Sequence, residues 1–238
     1  MKIALIGYGK MGKAIEEIAL EKGHEIVLKI TSRNQEDFTA SNLKKADIAI
    51  EFTSPETAVT NILCCIAAGI PVVCGTTGWL SKLVEVTNAI KNSHSAFLYA
   101  SNFSIGVNIF FELNKKLSQL MSRQSDYDVS IEEIHHTQKK DAPSGTAITL
   151  AQQILDQIKT KSKWVNQKAG APEELAIISK RIDPAPGTHS VKYTSQVDDL
   201  TITHTAHNRI GFASGAVLAA EFVFGKSGIY SMKDVLGI

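Results

Sequence analysis

The first twelve residues constrain the chain most. Lys2-Ile3-Ala4-Leu5-Ile6 is an apolar run of strand length, and Gly7-Tyr8-Gly9-Lys10-Met11-Gly12 follows at once, opening a segment with helical spacing. Three glycines at that spacing allow a tight turn, let backbone N–H groups approach a pyrophosphate at the positive end of a helix, and let the helix pack closely on the strand. Alone the motif is weak. In its strand-to-helix context it predicts a dinucleotide site at Gly7, Tyr8, Gly9, Lys10, Met11 and Gly12. The opening apolar run is also too short for the core of a signal peptide.

The rhythm of the next hundred residues agrees. Apolar runs at Lys2 to Ile6, Glu25 to Ile30, Ala46 to Phe52, Pro71 to Cys74 and Ala96 to Tyr99 read as buried strands. Helix-like segments at Met11 to Lys22, Pro55 to Ala68 and Leu80 to Asn92 lie between them. Such alternation predicts an α/β fold with a doubly wound parallel sheet covered on both faces. After Ser101 the pattern changes to a helix over Gly106 to Met121, a strand over Tyr127 to Ile134 and a helix from Gly145 to Lys159. Strands at Leu175 to Ile182, His189 to Thr194 and Leu200 to Ala206 follow, the last alternating Thr201, Thr203, Thr205 against Ile202, His204, Ala206. This predicts a second α+β domain over 105–208 with an open, mixed sheet that a partner subunit would cover. A helix over Ser214 to Phe224 would return the chain to the dinucleotide domain, which then comprises 1–104 and 209–238.

Composition excludes several classes. Lys plus Arg number 25 against 24 Asp plus Glu, with no long block of one sign, so nucleic acid is not an expected partner. No stretch reaches the ~20 apolar residues of a membrane span, which makes a cytoplasmic protein the expectation. Cys64, Cys65 and Cys74 lack metal-ligand spacing; the adjacent pair reads as small buried hydrophobes, no metal is expected, and no chemistry is assigned to the three.

An NAD site usually closes its second strand with an acid that holds the ribose 2′-hydroxyl. Here the strand runs into Thr31-Ser32-Arg33, and Ser32 and Arg33 can donate to a 2′-phosphate, so the residues favour NADPH, with NADH as the other cofactor to test. Gly75-Thr76-Thr77-Gly78 and Ser101-Asn102-Phe103-Ser104 stand at the ends of two further strands, where ligands collect in parallel sheets. Gly75, Thr76, Thr77, Ser101, Asn102, Phe103 and Ser104 are therefore candidate cofactor contacts as well as turn formers.

Titratable groups concentrate in Glu132-Glu133-Ile134-His135-His136-Thr137-Gln138-Lys139-Lys140-Asp141-Ala142-Pro143-Ser144-Gly145-Thr146-Ala147, between a strand and a helix start. Paired histidines and two lysines ahead of the helix start at Ser144, Gly145 and Thr146, whose free N–H groups could hold a carboxylate, describe an anion-binding reaction site better than an N-cap with a solvated loop.

This run resembles the signature of the 4-hydroxy-tetrahydrodipicolinate reductase family: an acid, two residues, His-His, two residues, Lys, one residue, then Asp-Ala-Pro-Ser-Gly-Thr-Ala. The resemblance extends through the glycine loop, Glu51-Phe52-Thr53, Gly75 to Gly78, Asn102 to Asn108, Asn208-Arg209 and Phe212 to Ala216. It implies an NAD(P)H-dependent reductase of the diaminopimelate and lysine pathway that acts on a cyclic dicarboxylate imine. It also implies catalytic roles for His135 and Lys139, substrate binding by His136, Gly145 and Thr146, and a homotetramer built through the second sheet. The chain departs from many members at Thr137 and Gln138, often basic positions, and in a glycine loop one residue shorter. Two competing readings remain at this stage. A dehydrogenase of another small substrate leaves the His-His-x-x-Lys run unexplained, and a non-catalytic NADPH sensor has no use for Lys139.

Overall fold

In the computed structural model, which describes residues 1–208 and 210–238, the chain divides into two compact units, Met1–Ile105 with Ile210–Ile238, and Gly106–Arg209. Arg209, named in the Asn208-Arg209 pair above, lies outside the described residues.

The first unit begins with β1 (Lys2–Ile6), α1 (Lys10–Glu21), β2 (Glu25–Ile30), a short α2 (Ala40–Leu43) and β3 (Ile48–Glu51). It continues through α3 (Pro55–Ala67), β4 (Val72–Cys74), α4 (Leu83–Lys91) and β5 (Ala96–Tyr99). Every residue of β3 is buried, as a strand with helices on both faces requires. The strand expected over Ala46 to Phe52 is thus shorter, and the helix expected from Leu80 opens as a 3₁₀ turn over Leu80–Lys82. Cys64 corrects another expectation. It is exposed while Cys65 is buried, because neighbours on a helix point about 100° apart and α3 has one buried face.

The second unit holds α5 (Ile105–Met121), β6 (Asp128–His135), α6 (Gly145–Gln157), β7 (Lys163–Val165), β8 (Glu174–Arg181), β9 (Gly187–Thr194) and β10 (Asp199–Ala206). Its sheet runs β10-β9-β6-β8-β7 and is mixed: β6 pairs antiparallel with β9 and parallel with β8. Alternation on β6 buries Val129, Ile131, Glu133 and His135. The first two join Leu175, Ile177, Val191 and Tyr193 in a core with Phe110 and Phe111 of α5 and Leu150 and Ile154 of α6. The last two carry the polar end of that same face. On the other face Ser190 and Thr203 pair across β9 and β10, and β10 is an edge strand.

Three elements complete the first unit: α7 (Ile210–Val223), β11 (Gly228–Tyr230) and α8 (Met232–Leu236). The α7 helix starts earlier than the expected Ser214, and β7, β11 and α8, each five residues or fewer, were too short for a periodic signal. The first sheet is all parallel in the order β11-β5-β4-β3-β1-β2. Its two faces separate residue by residue: Ala4 and Ile6 pack with α3 and α4, Ile3 and Leu5 with α1 and α7. Among the described residues no helix is long and apolar enough to cross a membrane.

The α7 helix approaches the main chain because it is built from small residues. A Cβ on Gly215 would stand 1.8 Å from the Phe103 carbonyl oxygen. Gly215→Ala gains about 1 kcal/mol of helix propensity, while overpacking against backbone costs about 1–3 kcal/mol or more. The clash should win, so the Tm of the variant should fall by several degrees; an unchanged or raised Tm would contradict this packing.

Candidate active site

The glycine turn shows what it is shaped to accept. Gly7 has φ +97°, and a Cβ there would lie 2.0 Å from the Phe52 carbonyl oxygen; a Cβ on Gly12 would lie 2.4 Å from that of Gly7. These two glycines bring strand, turn and helix together. Gly9 differs, since nothing stands within 4 Å of its would-be Cβ, which leaves room for a phosphate at the start of α1. A cavity of about 400 Å³ beside it is lined by Gly7, Tyr8, Gly9, Ser32, Gln35 and Thr53 among others. Open space at Gly9, helix-end donors and this cavity fit a dinucleotide.

Of the other expected cofactor residues, Lys10, Met11 and Gly12 form the first turn of α1 and do not line this cavity. Arg33 is exposed beside it, on a loop that Asn34 pins by accepting from the Thr31 N–H at 2.8 Å and donating to the Lys29 carbonyl at 2.9 Å. Thr76 is buried; its Oγ1 accepts the Thr53 N–H at 2.7 Å and its carbonyl accepts the Trp79 indole N–H at 2.7 Å. Gly75 has Phe52 ring atoms 2.1 Å from a would-be Cβ, and Thr77 is exposed. Phe103 is buried against Phe52 with ring centroids 5.7 Å apart, Asn102 accepts the Ser104 N–H at 2.9 Å, and Ser101 is exposed. Thr53 and Gln35 were not among the expected contacts. Thr53 was legible as the polar residue after a strand and within the Glu51-Phe52-Thr53 run, without an assigned contact; Gln35 carried no signal.

The candidate reaction loop is built on the end of β6. His135 is the last strand residue and is buried, with Nδ1 3.3 Å from Glu133 Oε2; Gly187, facing its Nε2, has no side chain to crowd it. His136 follows, half-buried, and its carbonyl accepts the Lys139 N–H at 3.1 Å in a tight turn. Asp183 accepts the Thr137 N–H at 3.1 Å and its hydroxyl at 2.5 Å. Hydrogen bonds from Thr137 and the nearby His136 hold the Asp183 carboxyl below its ordinary range. Lys139 Nζ donates to both Asp141 oxygens at 2.7 and 2.8 Å. Burial pushes Asp141 up, but the Lys139 ammonium outweighs it and the carboxyl titrates low.

The α6 helix start is partly occupied from within. The Ser144 N–H goes to Glu133, and Ser144 Oγ accepts the Ala147 N–H at 3.2 Å as an N-cap. Ser144 therefore has no amide left for a ligand, contrary to its expected share in anion binding. Gly145 is exposed with nothing within 4 Å of a would-be Cβ, and Thr146 is half-buried beside it.

Glu133, His189 and Arg181 were not expected here. Glu133 is fully buried, accepting the Ser144 N–H at 3.1 and 3.2 Å and Arg181 Nη2 at 3.2 Å, with His189 Nε2 at 3.7 Å. Burial pushes its carboxyl up, yet the nearby His135 and His189 rings and the Ser144 N–H together hold it far below the carboxylate range. The available signal was parity, since Glu133 shares the face of Val129, Ile131 and His135; Arg181 and His189 lie too far along the sequence for any local pattern.

A Rossmann-like parallel sheet with a glycine turn, joined in one chain to a mixed sheet bearing a histidine and lysine loop, defines an NAD(P)H-dependent oxidoreductase. The family models for the dihydrodipicolinate reductase N-terminus and C-terminus match residues 1–103 and 106–236. The chain belongs to the dihydrodipicolinate reductase family. It is 51% identical over 240 residues to a 4-hydroxy-tetrahydrodipicolinate reductase of Christiangramia forsetii, covering 99% of this chain and 98% of that one. It is 34% identical to the enzyme of that name from Methanosarcina mazei over 99% of this chain and 89% of the other. Its fold is similar to that of a dipicolinate-bound dihydrodipicolinate reductase from Paenisporosarcina sp. TG-14, with a TM-score of 0.80, 23% identity and 97% of each chain covered.

The buried groups make stability depend on pH in one direction. Burial, opposed by Glu133, pushes the His189 imidazole below its ordinary value, so an unfolded chain takes up a proton near pH ~6.5 that the folded one declines. Glu133 adds to this, because the folded carboxyl stays ionised where an unfolded one protonates near pH ~4.3. In both cases the unfolded state binds more protons. Stability is therefore complete at neutral pH and is lost on acidification, first below pH ~6.5 and further below ~4.3. Thermal melts should give a lower Tm at pH ~5 than at pH ~7; a flat or rising Tm would contradict these assignments.

Proposed function

We propose that the chain uses NADPH in preference to NADH to reduce a cyclic, conjugated dicarboxylate imine to tetrahydrodipicolinate, as a cytoplasmic homotetramer. The unit over 1–104 and 209–238 holds the dinucleotide, and the unit over 105–208 holds the substrate and the subunit contacts. The observation that carries the reading is the Lys139 ammonium on a turn tied down by Asp183, in the same unit as an open helix start at Gly145.

When bound, a reduced nicotinamide supplies a hydride. Gly7, Gly9 and the first turn of α1 offer backbone donors to its pyrophosphate, and Ser32 and Arg33 stand where a 2′-phosphate would need cations and hydroxyls. The absence of an acid from Thr31 to Asn34 supports the phosphorylated cofactor. Reduction leaves an electron-rich enamine in the substrate, which must take a proton at carbon. Lys139 Nζ delivers that proton, and Asp141 keeps the ammonium on the loop until substrate draws it away. His135 polarises the substrate or relays the proton. His136, Gly145 and Thr146 hold its two carboxylates with cationic and helix-end donors. The Thr- and Ser-bearing open face and the edge strand β10 support subunit contacts through the second sheet.

Turnover is tested by following nicotinamide oxidation with a freshly made condensation product of pyruvate and aspartate semialdehyde. Lys139→Ala should lower kcat by about 10²- to 10⁴-fold while leaving cofactor affinity intact, the usual range for a positioned acid. Near wild-type kcat would remove Lys139 from the chemistry. A planar aromatic 2,6-dicarboxylate should compete with substrate about tenfold to a hundredfold better than its monocarboxylate analogue, since one charge-assisted contact set carries ~1.5–3 kcal/mol. Equal inhibition by the two would mean that no second carboxylate is held.

Arg33→Ala should weaken NADPH by roughly tenfold and NADH little, because a guanidinium on a 2′-phosphate is a charge-assisted contact. Equal losses for both cofactors in calorimetry would make Arg33 a solvated side chain.

A further inference from the structure

Glu133 enters no step described so far, yet the donors around the reaction loop converge on it. Its carboxylate is fully buried at the end of the core face of β6. An isolated charge there would be prohibitive, so a carboxylate kept at such a place needs donors, and α6 and β8 supply them. From α6 comes the Ser144 N–H and from β8 the Arg181 guanidinium, while the His189 ring of β9, which pairs with Ser144 Oγ at 3.0 Å, and the His135 ring of β6 itself stand 3.7 and 3.3 Å from the carboxylate.

Two of these links lead to the residues assigned to chemistry. His135 Nδ1 lies 3.3 Å from Glu133 Oε2, an ion-pair distance, but it is buried and off the line that a hydrogen bond needs. Carboxylate–imidazole pairs of this kind are often poorly aligned without substrate and tighten in the complex. The second link is Arg181. Its Nη2 donates to Glu133 at 3.2 Å and also to the Asp141 carbonyl at 2.6 Å, while its Nε reaches the Lys139 carbonyl at 3.4 Å. Glu133 thus anchors the guanidinium that grips the main chain on both sides of Lys140. The same three side chains, Glu133, His135 and His189, offer ligand atoms within 4.8 Å of one another. A divalent cation there would share its carboxylate with a fixed guanidinium, and like-charge crowding argues against it.

We propose that Glu133 is a positioning residue for the reduction, setting the orientation and tautomer of His135 directly and the reach of Lys139 through Arg181. The proposal rests on the roles given above to His135 and Lys139. An imidazole that polarises or relays must present one defined nitrogen to the substrate, and a buried carboxylate on Nδ1 fixes which nitrogen that is.

Glu133→Gln in the full chain keeps the shape and one acceptor oxygen but removes the charge. Loss of an orienting partner behind a reactive histidine typically lowers activity roughly 10- to 100-fold. We expect kcat with NADPH to fall by that factor, KM for NADPH to stay within about twofold, and the kcat–pH profile to change shape. Glu133→Asp, which keeps the charge, should restore the wild-type shape of that profile. The imidazole ¹⁵N shifts of His135 should report a changed tautomer in Glu133→Gln even without substrate. Wild-type kcat, profile and ¹⁵N shifts in Glu133→Gln would overturn the proposal. If Glu133→Gln does not fold, Arg181→Gln takes its place: it should lower kcat while leaving the His135 ¹⁵N shifts as they are, and unchanged kcat would overturn the Arg181 link. A wild-type chain without turnover on the condensation product would sink the reductase reading instead, and the ¹⁵N comparison would still decide whether Glu133 orients His135.

Discussion

A single buried negative charge organises the end of the second unit that carries the candidate site. Glu133 sits on the core face of β6, where parity makes it the continuation of Val129 and Ile131. A side chain there must be apolar or fully partnered, because an unpaired buried charge costs several kcal/mol. The sequence supplies partners from β8, β9 and α6, so meeting that one requirement fixes the relative placement of a strand end, a helix start and the loop between them. His135 and Lys139 inherit their positions from this arrangement.

The first unit meets a different constraint with backbone rather than charge. Gly7 and Gly12 let β1, its turn and α1 approach within distances that exclude any Cβ, and Gly215 does the same for α7 against Phe103. What remains open is the space at Gly9 and the adjoining cavity. Close approach on one side and open donors on the other are what a pyrophosphate needs, so a single turn suits both packing and a phosphate group.

Most of the architecture was legible because its signals are local. The β1 run with its glycine turn, the alternation of strand and helix up to Tyr99, and the period-two pattern on β10 each lie within a few residues and follow from burial on two faces or one. The short elements β7, β11 and α8 were not legible, since three to five residues carry no measurable period. The loop histidines and Lys139 stood out through their crowding. Arg181 and His189 did not: each is one polar residue among others on its strand, and its meaning comes from strand pairing 48 and 56 residues away in sequence from Glu133. Ser144 misled for the same reason. Its amide looked open to a ligand until the fold brought the Glu133 carboxylate to it.

The central claim is that this chain reduces its substrate with a hydride from the nicotinamide and a solvent-exchangeable proton passed through Lys139. The most direct measurement is isotope tracing by mass spectrometry, with deuterium on the transferable position of NADPH and the pyruvate and aspartate semialdehyde condensation product as substrate. The account predicts one cofactor-derived deuterium in tetrahydrodipicolinate, and a second incorporated from solvent when the reaction runs in heavy water. NADPH oxidation that leaves no label in tetrahydrodipicolinate, or label arriving only from solvent, would contradict it.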